Sequence, residues 1–169
     1  FTDLAAQQIG AILVPLYPTT NPIEVEFILN DAAVQYIFVS NLELYEKVKS
    51  VVSKVPSIKG IFTFDTIEGA THWSDLTAKA TPARLDEVAQ IKKSIPVTQL
   101  ATIIYTSGTT GVPKGVMLSH QNIYSNVMFS KESFPFEDAP DSKVLSFLPL
   151  NHIFEKMVTY IYLYSGISI

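Results

Sequence analysis

The segment Tyr105-Thr106-Ser107-Gly108-Thr109-Thr110-Gly111-Val112-Pro113-Lys114-Gly115 concentrates three glycines, four aliphatic hydroxyls and one lysine. Glycine admits positive φ and close backbone approach, so successive N–H groups in such a turn can converge on an anion. The hydroxyls add further donors and the lysine a point charge, a composition suited to phosphate. On composition alone, a plain Gly/Thr hairpin with a surface lysine is an equal reading.

The spacing excludes the two commonest phosphate loops. A P-loop requires G-x-x-x-x-G-K-[ST] opening a helix, whereas Lys114 is followed by Gly115 and a strand-like run. A dinucleotide G-x-G-x-x-G fails as well, because Gly108 and Gly111 have no earlier glycine in register. Other chemistries lack their groups. With zero cysteines there is no thiol nucleophile, disulfide framework or Cys-based zinc site. No serine sits in a G-x-S-x-G or Ser-x-x-Lys setting, and His72, His120 and His152 are scattered without H-E-x-x-H. Lys+Arg is 12 against Asp+Glu 16, for a net charge of -4 without a basic cluster, so nucleic acid is not an expected partner.

The 169 residues are 47% hydrophobic and 17% charged, enough apolar material for a core. No apolar run reaches the ~18 residues a spanning helix needs, so no transmembrane segment is expected. The cytoplasm is then the default location, with peripheral membrane attachment an open alternative. The first third reads as helices alternating with strands. Thr2-Asp3 caps a short helix through Gln8, and Ala11 to Tyr17 reads as a strand. Asn21, Pro22 and Glu24 open a helix over about 22–31, and Tyr36-Ile37-Phe38-Val39 forms a buried strand. Ser40-Asn41-Leu42-Glu43 is a capping box for a helix running toward Val55, and Gly60 to Phe64 is the next strand. Strands joined by capped helices of this length imply an α/β protein with mostly parallel sheet flanked by helices. The charged, proline-bounded stretch within 81–97 reads as a connector between a first α/β sub-domain, 1–80, and a second, 98–169, that bears the phosphate loop. In the second, Leu100 to Tyr105, Gly115 to Leu118 and Val144 to Leu148 read as strands. Ser119 caps a helix from His120 to about Phe129, and another helix starts near Asn151.

As a whole string, YTSGTTGVPKGVMLSH resembles the phosphate-loop signature of the adenylate-forming superfamily, which includes acyl-CoA synthetases, firefly luciferase and non-ribosomal adenylation domains. Leu148-Pro149-Leu150-Asn151-His152 looks like the superfamily's L-P-x-x-H segment, and the flanks LPLNHIFEK and GAILVPLYPT are similar to the long-chain fatty acyl-CoA synthetase branch. The resemblance implies a partial N-terminal domain of an acyl-CoA synthetase-like fold. It also implies a long-chain fatty acid–CoA ligase that uses ATP, Mg2+ and coenzyme A, forming acyl-AMP plus pyrophosphate and then acyl-CoA. An aryl or other acid as substrate, and a non-catalytic nucleotide- or acyl-binding module, are the alternatives.

Carried over by residue, Thr106, Ser107, Gly108, Thr109, Thr110, Gly111 and Lys114 would hold the ATP phosphates, with Lys114 catalytic. Thr106 matches the position near Mg2+, and His152 the catalytic position beside the acyl carboxylate and later the thioester. Without the motif, His152 at a strand-to-helix junction would read as a helix cap. Glu155, three residues on, would orient the His152 ring or face solvent. Tyr160, Tyr162 and Tyr164 read as core, with a share in an acyl-tunnel wall left open. The family's later segments for adenine, ribose and the second catalytic lysine do not occur in these 169 residues. The chain is therefore expected to be a fragment, inactive alone, and its oligomeric state is not legible.

Overall fold

Residues 1–107, 111–133 and 142–169 are described by a computed structural model of the chain. They form two compact units. One gathers Phe1–Pro15, Ile95–Ile104 and Gly115–Ile169; the other holds Leu16–Ser94 and Tyr105–Lys114.

The second unit is built on a parallel sheet. β1 (Tyr36–Val39) pairs with β2 (Gly60–Thr63) over its whole length, Tyr36 opposite Gly60 and Val39 opposite Thr63. The two-residue β3 (Thr71–His72) extends the sheet in the order β1-β2-β3, also parallel. A parallel pair needs a crossover, and between β1 and β2 it is α3 (Leu42–Val52). Val39, Tyr45 and Val48 form one buried cluster, extended by Ile37, Leu44 and Ile61. α2 (Pro22–Asp31) contributes Val25 and Leu29 to a second cluster with Val51 and Val55. Period-2 alternation sends Tyr36, Phe38 and Phe62 away from those clusters, where Phe38 stacks on Phe62 with centroids 5.2 Å apart.

Helix starts follow the side chains. Asn21 Oδ1 accepts from Glu24 N at 2.9 Å with Pro22 at the first helical position. At α3 the cap is Asn41, whose Oδ1 accepts from Leu44 N at 3.0 Å, so the helix is capped one residue later than the Ser40 box predicts. α2 ends in a Schellman arrangement. Val34 N donates to Leu29 O and Ala33 N to Asn30 O, both at 3.0 Å, with Ala33 at φ 48°. The stretch read as a connector carries α5 (Pro82–Ser94), a helix without buried residues after the short α4 (Ser74–Thr77).

The first unit joins α1 (Thr2–Gln8), most of β4 (Leu100–Thr106) and β5 (Lys114–Ser119), α6 (His120–Ser133) and α7 (Ile153–Tyr164). β4 and β5 are neighbours in a two-stranded sheet. Ala101 and Thr102 of β4 are fully buried. Ala11 to Tyr17, expected as a strand, makes a single parallel bridge, Leu13 to Thr102. Leu13 N donates to Ala101 O, Ile103 N to Leu13 O and Thr102 Oγ1 to Leu13 O, and then Pro15, lacking an N–H, ends the ladder. Val144 to Leu148 is likewise not a strand. Its contact is a bridge between Lys143 and Ser168, with Val144 N donating to Ser168 O at 2.9 Å, and Leu145 and Phe147 lie exposed. The cap at α6 is as expected, Asn122 N donating to Ser119 Oγ at 3.2 Å, but the helix continues past Phe129 to Ser133. At α1 the first residue outside the helix is Phe1, without a side-chain cap, and Asp3 sits inside the first turn.

Candidate active site

β4 carries the chain from buried Ala101, Thr102 and Ile104 out to exposed Thr106 and Ser107. The strand thus carries Thr106 and Ser107 to the surface from a buried base. Lys114, also exposed, opens β5. Between them Gly111 adopts φ 79°, and a Cβ built there meets nothing within 4 Å. The glycine is therefore required by backbone conformation and not by space. Gly108, Thr109 and Thr110 lie outside the described residues.

Immediately before the loop, the Tyr105 hydroxyl donates to Asp31 Oδ2 at the C-terminal end of α2. Burial first, and then the hydrogen bond to Asp31, pushes the Tyr105 phenol well above its ordinary value. The neutral phenol is thus the form that ties the end of β4 to α2.

His152 stands in the other unit, at the N-terminus of α7. Its Nδ1 accepts from Phe154 N at 3.2 Å, so the side chain is the helix cap, a role the sequence offered only as the alternative. Because Nδ1 accepts, the proton of the neutral ring is carried by Nε2. The imidazole is exposed, which leaves the cap compatible with a ligand-facing edge. Glu155 does not face solvent, and its carboxylate reaches a partner other than this ring. It is buried and accepts from Ser146 Oγ, because the helical turn after His152 points position 155 toward the 142–151 segment.

The sequence reading gave Lys156 no role and did not join it to Asp3 and Tyr160. Lys156 is buried and pairs with Asp3 Oδ1 at 3.0 Å, and the Tyr160 hydroxyl donates to Asp3 Oδ2 at 2.6 Å. The available signal was a lysine and a tyrosine at i, i+4 in the apolar run IFEKMVTYIYLY. Tyr160 thus belongs to a polar network and not to a plain core, while Tyr164 is half exposed beneath Lys131 Nζ, 4.9 Å from its ring centroid.

For a metal, the described residues include no cluster of three His, Asp or Glu side chains. At the loop's entrance Thr106 and Ser107 offer hydroxyls without a carboxylate, a donor set that fits a Mg2+ only if phosphate oxygens and water carry most of it. The arrangement as a whole supplies donors and one cation at a strand end, and separately an imidazole held in one tautomer.

Comparison with known proteins agrees with this composition of parts. The chain is 32% identical over 174 residues to long chain acyl-CoA synthetase 6, peroxisomal, of Arabidopsis thaliana, covering 99% of this chain and 24% of that protein. It spans about a quarter of the length of the curated relatives it matches. A luciferase of Phrixothrix hirtus superposes with a TM-score of 0.80 at 23% identity, over 98% of this chain and 32% of that one. ATP-bound MatB of Rhodopseudomonas palustris gives a TM-score of 0.76 at 27% identity, over 98% and 31%. The fold is that of the N-terminal part of an adenylate-forming ligase. The family model of AMP-binding enzymes matches residues 1–169 in full, and the chain belongs to that family.

Proposed function

We propose that the intact protein is an AMP-forming acid–thiol ligase that activates long-chain fatty acids with ATP and transfers them to coenzyme A. The observation that carries the reading is the donor-rich segment Thr106 to Lys114, launched from a buried strand, in a chain similar throughout to a long chain acyl-CoA synthetase.

In the first step a carboxylate oxygen bonds to the α-phosphorus of ATP as the bond to the β-phosphate bridging oxygen breaks, releasing pyrophosphate. Thr106, Ser107, Gly108, Thr109, Thr110, Gly111 and Lys114 hold the β- and γ-phosphates, and Lys114 is catalytic because it neutralises charge growing on the departing group. Thr106, together with the phosphates, would hold a Mg2+, which would supply electrostatic stabilisation of the same charge. In the second step the coenzyme A thiol gives its proton to solvent as its sulfur bonds to the acyl carbon, and the bond from that carbon to the AMP phosphate oxygen breaks, releasing AMP. His152, with its proton on Nε2, donates to an oxygen of the acyl group.

Lys114→Ala tests the assignment in the intact protein. Adenylation is expected to slow by about 10- to 1000-fold with the fold intact, each ~1.4 kcal/mol of lost contact being tenfold. A rate equal to wild type, read by release of pyrophosphate, removes Lys114 from the site. Product analysis with a palmitate-length acid, an aryl acid and no acid separates a fatty acyl ligase, an aryl ligase and a binding module. No helix among the described residues is long and apolar enough to cross a membrane, and a location in the cytoplasm, free or peripherally attached to a membrane, completes the proposal.

A further inference from the structure

α7 opens with two buried charged residues in succession, Glu155 at 4% and Lys156 at 5% exposure, in an otherwise apolar and aromatic helix. Burying charge is costly, and an apolar pair of similar volume is generally as stable. Stability is therefore not a sufficient reason for the pair. Consecutive side chains leave a helix ~100° apart, and these two reach partners on different segments. Glu155 accepts from Ser146 Oγ. Lys156 Nζ donates to Asp3 Oδ1 of α1 at 3.0 Å. One turn further, Tyr160 donates to Asp3 Oδ2, while Gln7 Nε2 donates to Asp3 Oδ1 at 3.1 Å and to the Tyr160 hydroxyl. Burial and the Asp3 bond push the Tyr160 phenol well above its ordinary value, which keeps it a donor.

Two anchors at roughly right angles fix both the rotation of the first turn of α7 and its displacement. What that turn carries is His152. Its carbonyl accepts from Lys156 N at 3.1 Å, and its ring caps the helix through Phe154 N. A rotation of the turn would carry the ring and Phe154 together, so the cap would survive while the imidazole left its place. We propose that Ser146–Glu155 and Asp3–Lys156–Tyr160 are positioning pairs that, through the backbone of this turn, hold the His152 imidazole in one place. The kinetic consequence rests on the reading that His152 faces the acyl group.

The test uses the intact protein with Lys156→Met, Lys156→Arg and Tyr160→Phe, alone and with His152→Ala. Lys156→Met is expected to lower acyl-CoA turnover by about 10- to 100-fold while the KM for ATP changes by less than about twofold. In the His152→Ala background it should cost less than about twofold more, since both changes remove one device. Lys156→Arg should recover most of the loss. Tyr160→Phe removes a single hydroxyl and serves where Lys156→Met does not fold, with a smaller loss of the same pattern. The 15N ring resonances of His152 give a readout free of any reaction. Wild type should show one set of His152 ring resonances, and Lys156→Met or Tyr160→Phe shifted or broadened ones. If the wild type makes no acyl adenylate, the functional reading fails and the ring spectrum alone decides the positioning. Unchanged ring resonances, or a loss fully additive with His152→Ala, would overturn it.

Discussion

The proposed function gives His152 two separable jobs, a helix cap and a contact to the acyl group, and substitution can separate them. Its Nδ1 caps α7, a role an asparagine side chain can also fill, whereas an acyl-facing Nε2–H cannot be supplied by an amide in the same place. His152→Ala is therefore expected to cost about 1 kcal/mol of stability through the lost cap, together with turnover. His152→Asn should restore the stability but not the turnover. Chemical denaturation set beside acyl-CoA formation checks both, and recovery of turnover by asparagine would reduce His152 to a cap. Candidate residues could be named at this scale because they lie in local strings, Tyr105 to Gly115 and Leu148 to His152. The Asp3–Lys156 pair was not, because its partners stand 153 positions apart and only the tertiary fold brings them together.

At the scale of elements, the C-terminus of α2 offers a sharp test of local physics. Ala33 occupies the left-handed position of the Schellman turn at φ 48°, where an L side chain is strained and glycine is not. Ala33→Gly should stabilise the protein by about 1 kcal/mol, seen as a higher denaturant midpoint at unchanged slope. A lower midpoint would mean that the Ala33 methyl contributes packing that outweighs the strain. The helices and strands of residues 21–63 could be read from caps and apolar runs because each signal there is local: Asn21 and Pro22 for α2, the continuous apolar run Tyr36 to Val39 for β1. Two other apolar runs misled. Ala11 to Tyr17 has strand composition but is broken by Pro15, and Val144 to Leu148 has it too but pairs with a neighbouring backbone only at its start, beside the Lys143–Ser168 bridge. A strand is defined by a neighbour, which composition does not encode. α5 was hidden for the opposite reason, since a helix without buried residues leaves no apolar stripe to detect.

On the scale of the whole molecule, two phenols link stability to alkaline pH. Tyr105 and Tyr160 both have their values raised by burial and by an aspartate partner, Asp31 and Asp3. A raised folded-state value means the folded chain holds the proton more tightly. The contribution is complete below the unfolded tyrosine value of about 10 and is lost as pH rises above it. Stability should fall through that range, and the double variant Tyr105→Phe, Tyr160→Phe should flatten the fall; an equal fall in the variant would assign the alkaline loss to other groups. Catalysis is a larger-scale property still, because the chain spans about a quarter of the curated relatives it matches, and the account's central claim concerns the intact protein. The most direct measurement is carboxylate-dependent exchange of radiolabelled pyrophosphate into ATP by that protein, across a ladder of fatty acid lengths with an aryl acid as control. The account predicts exchange that requires an acid and peaks with long acyl chains. Exchange with the aryl acid alone would contradict the substrate, and no exchange with any acid would contradict the claim that this protein forms adenylates.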